Sequence, residues 1–160
     1  VLKGIEVDIL ADGSLDLPDS VLKQLDITIG SVHYQQRLSR DKQTERIIRA
    51  MDNPCLQILG HPTARLINSR EPMDIDLEKI VEAAKDRGVT LELNAHPARL
   101  DLPHTYCKFA AEIGVTRGVH DIDAVIAPLD GRVLGEDGNA SLLLQVGGVH
   151  DAVGVSATLL

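Results

Sequence analysis

The feature that most constrains this chain is an alternation, repeated through four units, of a short apolar or β-branched run, a loop and a helical segment. Gly4 to Leu10 alternates apolar and polar side chains and stops at Ala11-Asp12-Gly13-Ser14, the pattern of a strand and a turn. Pro18-Asp19 opens a short helix over Ser20 to Gln24. Asp26 to Val32 is a second strand, rich in β-branched residues and followed at once by His33. Between Asp41 and Met51, Ile47, Ile48 and Met51 recur at one-turn spacing among charged neighbours, predicting an amphipathic helix closed by Asn53-Pro54. Leu56 to Leu59 is a third strand running into Gly60-His61-Pro62. Asp74 or Asp76 then caps a helix whose apolar stripe is Leu77, Ile80, Val81 and Ala84. Lys85 and Arg87 suit its C-terminal dipole, and Gly88 ends it. Val89 to Leu93 is a fourth strand ending at Asn94, and a helix from His104 to Ile113 stops at Gly114. Parallel strands need long crossovers, usually helical, so this order predicts an α/β fold with a parallel sheet or barrel under covering helices.

The pattern changes near residue 118. The segment 118–160 is Gly-rich, carries Pro128, Asp130-Gly131 and Asp137-Gly138 turns between short apolar runs, and has Arg132 as its one Lys or Arg. Either it is a β-rich tail or the barrel pattern has broken down there. The expected division is therefore 1–117 and an atypical tail, 118–160. Gly-Val-His-Asp occurs at 118–121 and again at 148–151, too short a match to establish a repeat.

Composition narrows the function classes. The net charge of −8 argues against a broad basic surface for DNA or anionic membrane, yet suits a site that gathers divalent cations. Tyr34, Tyr106 and Phe109 are the only aromatics, so base-stacking platforms are scarce and the core must be aliphatic. No apolar run is long enough to span a membrane. Cys55 and Cys107 stand alone in a chain without a signal-peptide pattern, and are expected to be reduced thiols of a cytoplasmic protein. A chain that opens at Val1, directly before a strand, is expected to be a fragment or a processed product.

In parallel α/β folds, chemistry gathers where the C-terminal ends of the strands meet the loops. The polar residues at those ends are Glu6, His33, His61 and Asn94, separated by 27, 28 and 33 positions, each about one βα unit. A lone His in a loop is ordinarily a turn or surface residue. A Glu and two His at one mouth are instead suitable donors for Zn²⁺ or Mn²⁺, ions that acidify a bound water and clamp a phosphoryl group. Glu6 is the most telling, because a carboxylate in an apolar strand is costly to bury without a cation.

Gly4-Ile5-Glu6-Val7-Asp8-Ile9, Ser31-Val32-His33, Ile58-Leu59-Gly60-His61-Pro62-Thr63 with Arg65, and Leu91-Glu92-Leu93-Asn94-Ala95 with Pro97 and Arg99 to Leu102 follow one another in order. Together they resemble consecutive motifs of the PHP (polymerase and histidinol phosphatase) domain, most closely the version at the C-terminus of family X DNA polymerases, over residues 3–115. The resemblance implies a partial, distorted (β/α)7 barrel holding Mn²⁺ or Zn²⁺. Its reaction would be phosphoester hydrolysis by a metal-activated hydroxide, of the 3′-5′ exonuclease or DNA-repair end-processing type. In other relatives it is a small-molecule phosphomonoesterase activity like that on histidinol phosphate. By this resemblance Glu6, His33 and His61 are the catalytic metal ligands, Glu6 bridging, while Arg65 faces a substrate phosphate and Asn94 lies near it. Asp123-Ala124 match the start of the family's closing Asp-x-His, with Val125 at the His position, so Asp123 is the expected further ligand and His120 or Asp121 its substitutes. His96 stands where relatives carry Asn, in a loop. The family's first His motifs have no counterpart before Glu6. The expected partners are a phosphoester substrate such as a DNA end, and either a second copy of the chain or a missing polymerase and N-terminal PHP part. A non-catalytic remnant that binds metal weakly, or not at all, is the remaining alternative.

Overall fold

The computed structural model describes residues 2–115 in full, and 117–121, 124–129, 143–146 and 154–158 by their backbone as strands. Strand β1 (Leu2–Asp8) leads through a turn to the short helix α1 (Asp19–Leu22), then β2 (Ile27–Ser31) and α2 (Arg40–Met51). Strand β3 (Ile58–Leu59) follows, then α3 (Leu77–Arg87), β4 (Thr90–Asn94) and α4 (His104–Ile113). The last four elements are strands: β5 (Arg117–Asp121), β6 (Ala124–Leu129), β7 (Leu143–Val146) and β8 (Gly154–Thr158). The alternation expected from the sequence is present, with boundaries shifted by at most two residues. Asp76 caps α3 by accepting from the Lys79 N–H at 3.3 Å, and Gly88 and Gly114 adopt the left-handed conformation that ends α3 and α4.

Strands β1 to β5 are parallel, so the chain is a mixed α/β protein with helical crossovers on the parallel part. Register aligns Glu6 with Ile29, Ile29 with Ile58 and Leu59 with Leu91, which brings the C-terminal ends of β1 to β4 to one side. From β5 onward the pairing is antiparallel, and β8 returns to β1 through Leu2 with Val155 and Lys3 with Gly154. Among the described residues the strand order runs from β1 to β8 and back to β1. It departs from seven strands with a helix after each, because the turn-rich tail lacks the long amphipathic runs a parallel crossover needs. No described helix is long and apolar enough to cross a membrane.

The core is aliphatic, as the shortage of aromatics requires. Ile9, Leu22, Ile47, Leu59, Ile80 and Leu91 are fully buried, each contributing about 1.5–3 kcal/mol by removal from water. The stripe of α3 packs here as expected. Tyr106, Cys107 and Phe109 on α4 lie against the same cluster. Helix α2 departs from the expected pattern: Gln43, Thr44 and Arg46, which the sequence places on a polar face, are buried. Arg46 is accommodated because its guanidinium donates to the carbonyls of Ile9, Leu10 and Tyr34 and to Gln43 Oε1. It ties the loops after β1 and β2 to the helix behind them, which steadies the strand ends that carry Glu6 and His33.

Candidate metal centre

Glu6, His33 and His61 converge at the C-terminal ends of β1, β2 and β3, with one donor atom from each within 4.8 Å of the others. The Nε2 atoms of both histidines approach the same carboxylate oxygen, Glu6 Oε1, at 3.4 Å from His33 and 3.2 Å from His61. Donors about 2.0–2.1 Å from a tetrahedral metal are separated by roughly 3.3 Å along each edge. The spacing, and the imidazole and carboxylate chemistry, therefore fit a divalent ion of the Zn²⁺ or Mn²⁺ kind. The rings of His33 and His61 are tilted, with centroids 5.1 Å apart, and do not stack face to face.

Each donor is held by a different device. Glu6 is not the fully buried carboxylate that its apolar strand suggests: its side chain is 35% exposed at the mouth. Burial pushes its carboxyl up, but hydrogen bonds from His33 and His61 outweigh this and hold it well below the usual carboxylate range. His33 lies between two carboxylates, and the Glu6 hydrogen bond raises its imidazole, with burial opposing and Asp8 adding to the rise. Asp8 Oδ1 receives His33 Nδ1, which leaves Nε2 facing Glu6. A carboxylate behind a ligating imidazole orients the ring and strengthens its basicity.

His61 is positioned through its backbone. Its φ of 27° is unusual for a side chain of this size, and its N–H donates to the Glu92 carboxylate from β4. Gly60, just before it, is required by close packing. A Cβ there would collide with Ser31 Oγ and lie 3.0 Å from Ile29 Cγ2 and 3.6 Å from Glu92 Oε2. The His61 side chain is 8% exposed, and its Nδ1 is a buried nitrogen without a hydrogen-bond partner among the described residues. His61 Nε2, on the other side of the ring, is the nitrogen that faces Glu6 Oε1.

The other sequence candidates are placed differently. Asn94 is buried at the end of β4, where it donates to Glu92 Oε1 at 3.2 Å and accepts from the His96 N–H at 3.1 Å. Its backbone pairs with Asp101. Arg65 places its guanidinium on the carbonyls of Arg99 and Leu100, bracing the loop after β3 against the loop after β4. Asp101 completes that brace by accepting from the Thr63 N–H with both carboxylate oxygens, and burial pushes its carboxyl up. His96 sits in a turn, its Nδ1 accepting from the Ala98 N–H. His104 begins α4. Asp123 lies outside the described residues, and His120 and Asp121 are described only as backbone of β5.

Two contributors escaped the sequence reading. Glu92 carried the same signal as Glu6, a carboxylate between apolar strand neighbours, and Asp8 lay inside the first motif two positions from Glu6. Both support ligands rather than join them, so neither appears in the spacing of the strand ends.

No family model matches the chain. The DNA polymerase/3′-5′ exonuclease PolX of Bacillus subtilis is 43% identical over 116 residues, 72% of this chain and 20% of that protein. A probable phosphatase of a Thermoanaerobacter species is 42% identical over 98 residues, 59% of this chain and 38% of that protein. A probable phosphatase of Caldanaerobacter subterraneus is 39% identical over 98 residues, 59% of this chain and 36% of that protein. The chain thus spans between about one fifth and two fifths of the length of these relatives. Their similarity, with a Glu and two His converging at the strand ends, supports a PHP-like phosphoesterase domain and the use of a divalent metal.

Proposed function

We propose that this chain is a divalent-metal phosphoesterase of the DNA 3′-end-processing type, working at the mouth formed by Glu6, His33 and His61. The observation that carries this reading is the meeting of two imidazoles on one carboxylate oxygen, at 3.4 Å and 3.2 Å, spacings compatible with donors around one ion. The similarity to a protein named for both polymerase and 3′-5′ exonuclease supports it. When bound, Mn²⁺ or Zn²⁺ supplies Lewis acidity toward a phosphoryl oxygen and lowers the pKa of a coordinated water.

The chain's own residues hold and shape the site. Glu6 offers an ionised carboxylate at neutral pH, Asp8 presents His33 by its Nε2, and Glu92 fixes the backbone that carries His61. Asp101 and Arg65 keep the loops after β3 and β4 together beside it. In this reading the strands belong to a distorted PHP-type barrel, and a cytoplasmic setting agrees with a composition of only two cysteines, without a disulfide framework. The similarity to proteins named as phosphatases, together with the net charge of −8, favours a second reading, a small-molecule phosphomonoesterase.

The deciding experiment strips the protein with a chelator, restores Mn²⁺ or Zn²⁺, and compares hydrolysis of an end-labelled single-stranded oligonucleotide with that of an aryl phosphate. Metal-dependent shortening of the oligonucleotide supports the first reading and turnover of the aryl phosphate alone the second. Metal binding with neither activity would leave a non-catalytic remnant.

A further inference from the structure

A groove of about 750 Å³ lies beside the candidate metal centre and shares His33 with it. Its lining includes Tyr34, Gln36, Arg37, Arg70 and Met73, with Glu71 as its carboxylate. Tyr34 is 69% exposed, whereas Tyr106 and Phe109 pack against the core. The most exposed of the three aromatics therefore stands immediately beside a metal ligand. Its ring is accessible to a ligand in the groove.

The two arginines are poorly explained by folding. Arg37 is exposed, and neither it nor Arg70 forms an ion pair among the described residues. Arg70 donates through Nε to the Ala64 carbonyl at 2.8 Å, which anchors the guanidinium at the groove without neutralising it. Burial holds its pKa down, and the like charge of Arg99 adds to this. Arg99 itself has a buried Nη1 without a hydrogen-bond partner among the described residues. In a chain of net charge −8, this groove is lined by two guanidinium groups, Arg37 and Arg70, against one carboxylate, Glu71, so its wall is locally cationic. Guanidinium forks match phosphate oxygens in shape and charge, and an exposed tyrosine ring stacks on any base because every base has a π-face.

We propose that this groove is a strand-binding subsite, in which Arg37 and Arg70 receive the phosphodiester next to the scissile one and Tyr34 stacks on the adjoining base. The groove thereby selects the end of a single DNA strand over an isolated phosphomonoester. For its reaction this rests on the phosphoesterase reading above; for binding it stands on the groove alone.

The test uses the 160-residue chain, wild type and the variants Tyr34→Ala, Arg37→Ala and Arg70→Ala, with folding checked by thermal melting. Binding of a fluorescent oligodeoxynucleotide of about ten nucleotides is measured by anisotropy across a salt series. Each variant should weaken binding by about 10-fold, with the arginine variants also flattening the salt dependence. With Mn²⁺ present, the ratio of KM for the oligonucleotide to KM for the phosphomonoester p-nitrophenyl phosphate should rise by a similar factor. Because Arg70 also holds the Ala64 carbonyl, Tyr34→Ala and Arg37→Ala decide the matter if Arg70→Ala melts early. Absence of oligonucleotide binding by the wild type, or equal effects of the variants on both substrates, overturns the subsite. A wild type that binds DNA through these residues but hydrolyses neither substrate overturns the phosphoesterase reading and leaves the subsite standing.

Discussion

Gly60→Ala is the perturbation that most sharply probes how the fold builds the site. The added methyl would collide with Ser31 Oγ and come within 3.0 Å of Ile29 Cγ2, in a region where Ile29 and Ser31 are both buried. Overpacking of this kind costs about 1–3 kcal/mol. For a chain of this size that corresponds to a fall in melting temperature of roughly 2–12 °C. The contact also sits one residue before His61, so the Kd for Mn²⁺ or Zn²⁺ should rise together with the loss of stability. Ser31 Oγ is buried and acts only weakly on the Glu6 carboxylate, so Ser31→Ala alone should change stability by about 1 kcal/mol or less. In the double variant the worst collision is gone while the Ile29 contact remains, so part of the loss should be recovered, a coupling of about 1 kcal/mol. The assay is urea and thermal unfolding of the four proteins of this cycle, with metal titration of each. A Gly60→Ala protein that melts with the wild type, or one whose loss is identical with and without the Ser31 hydroxyl, would refute the close-packing argument.

Other outcomes follow from the same geometry. Asp8→Asn removes the carboxylate behind His33 and should weaken metal binding by about 10- to 100-fold in calorimetric titration, with little change in fold. Arg46→Met leaves the carbonyls of Ile9, Leu10 and Tyr34 without their shared donor and should cost about 2–4 kcal/mol in urea unfolding. A cost under 0.5 kcal/mol, roughly the scatter of surface substitutions, would show that the loops do not depend on it. The carboxyl of Asp101 is raised by burial, so the folded state holds its proton to higher pH than the unfolded chain does. Its contribution is present below 3.8 and lost as pH rises through the folded value. The stability of the wild type relative to Asp101→Asn, measured in chelator, should therefore fall as pH rises from 3.8, and a flat difference would contradict the assignment.

Much of this architecture was legible in the sequence where the signal is local. The stripe Leu77, Ile80, Val81 and Ala84 between Asp76 and Gly88 marks α3 because cap, periodicity and stop all lie within one segment. Glu6, His33 and His61 were legible because a parallel fold places successive strand ends together, and spacing alone reports strand ends. What escaped depends on contacts between distant segments. Arg46 is charged and lies among charged neighbours, and nothing local shows that three carbonyls from two loops surround it. Arg65 could be assigned to a phosphate because the carbonyls it braces lie 34 and 35 positions away. Glu92 supports His61 from a different strand, through a backbone N–H that carries no sequence signal. Tyr34 was one of three aromatics in the composition, and only the fold distinguishes it from the two that pack against the core.

The central claim is that Glu6, His33 and His61 form one metal site, and metal stoichiometry tests it most directly. Chelator-stripped protein, titrated calorimetrically with Mn²⁺ and Zn²⁺ and then assayed by elemental analysis, should bind at least one equivalent. The bound metal should fall sharply in Glu6→Ala, His33→Ala and His61→Ala while the proteins remain folded. A wild type that binds no metal, or three folded variants that bind it as the wild type does, would contradict the account.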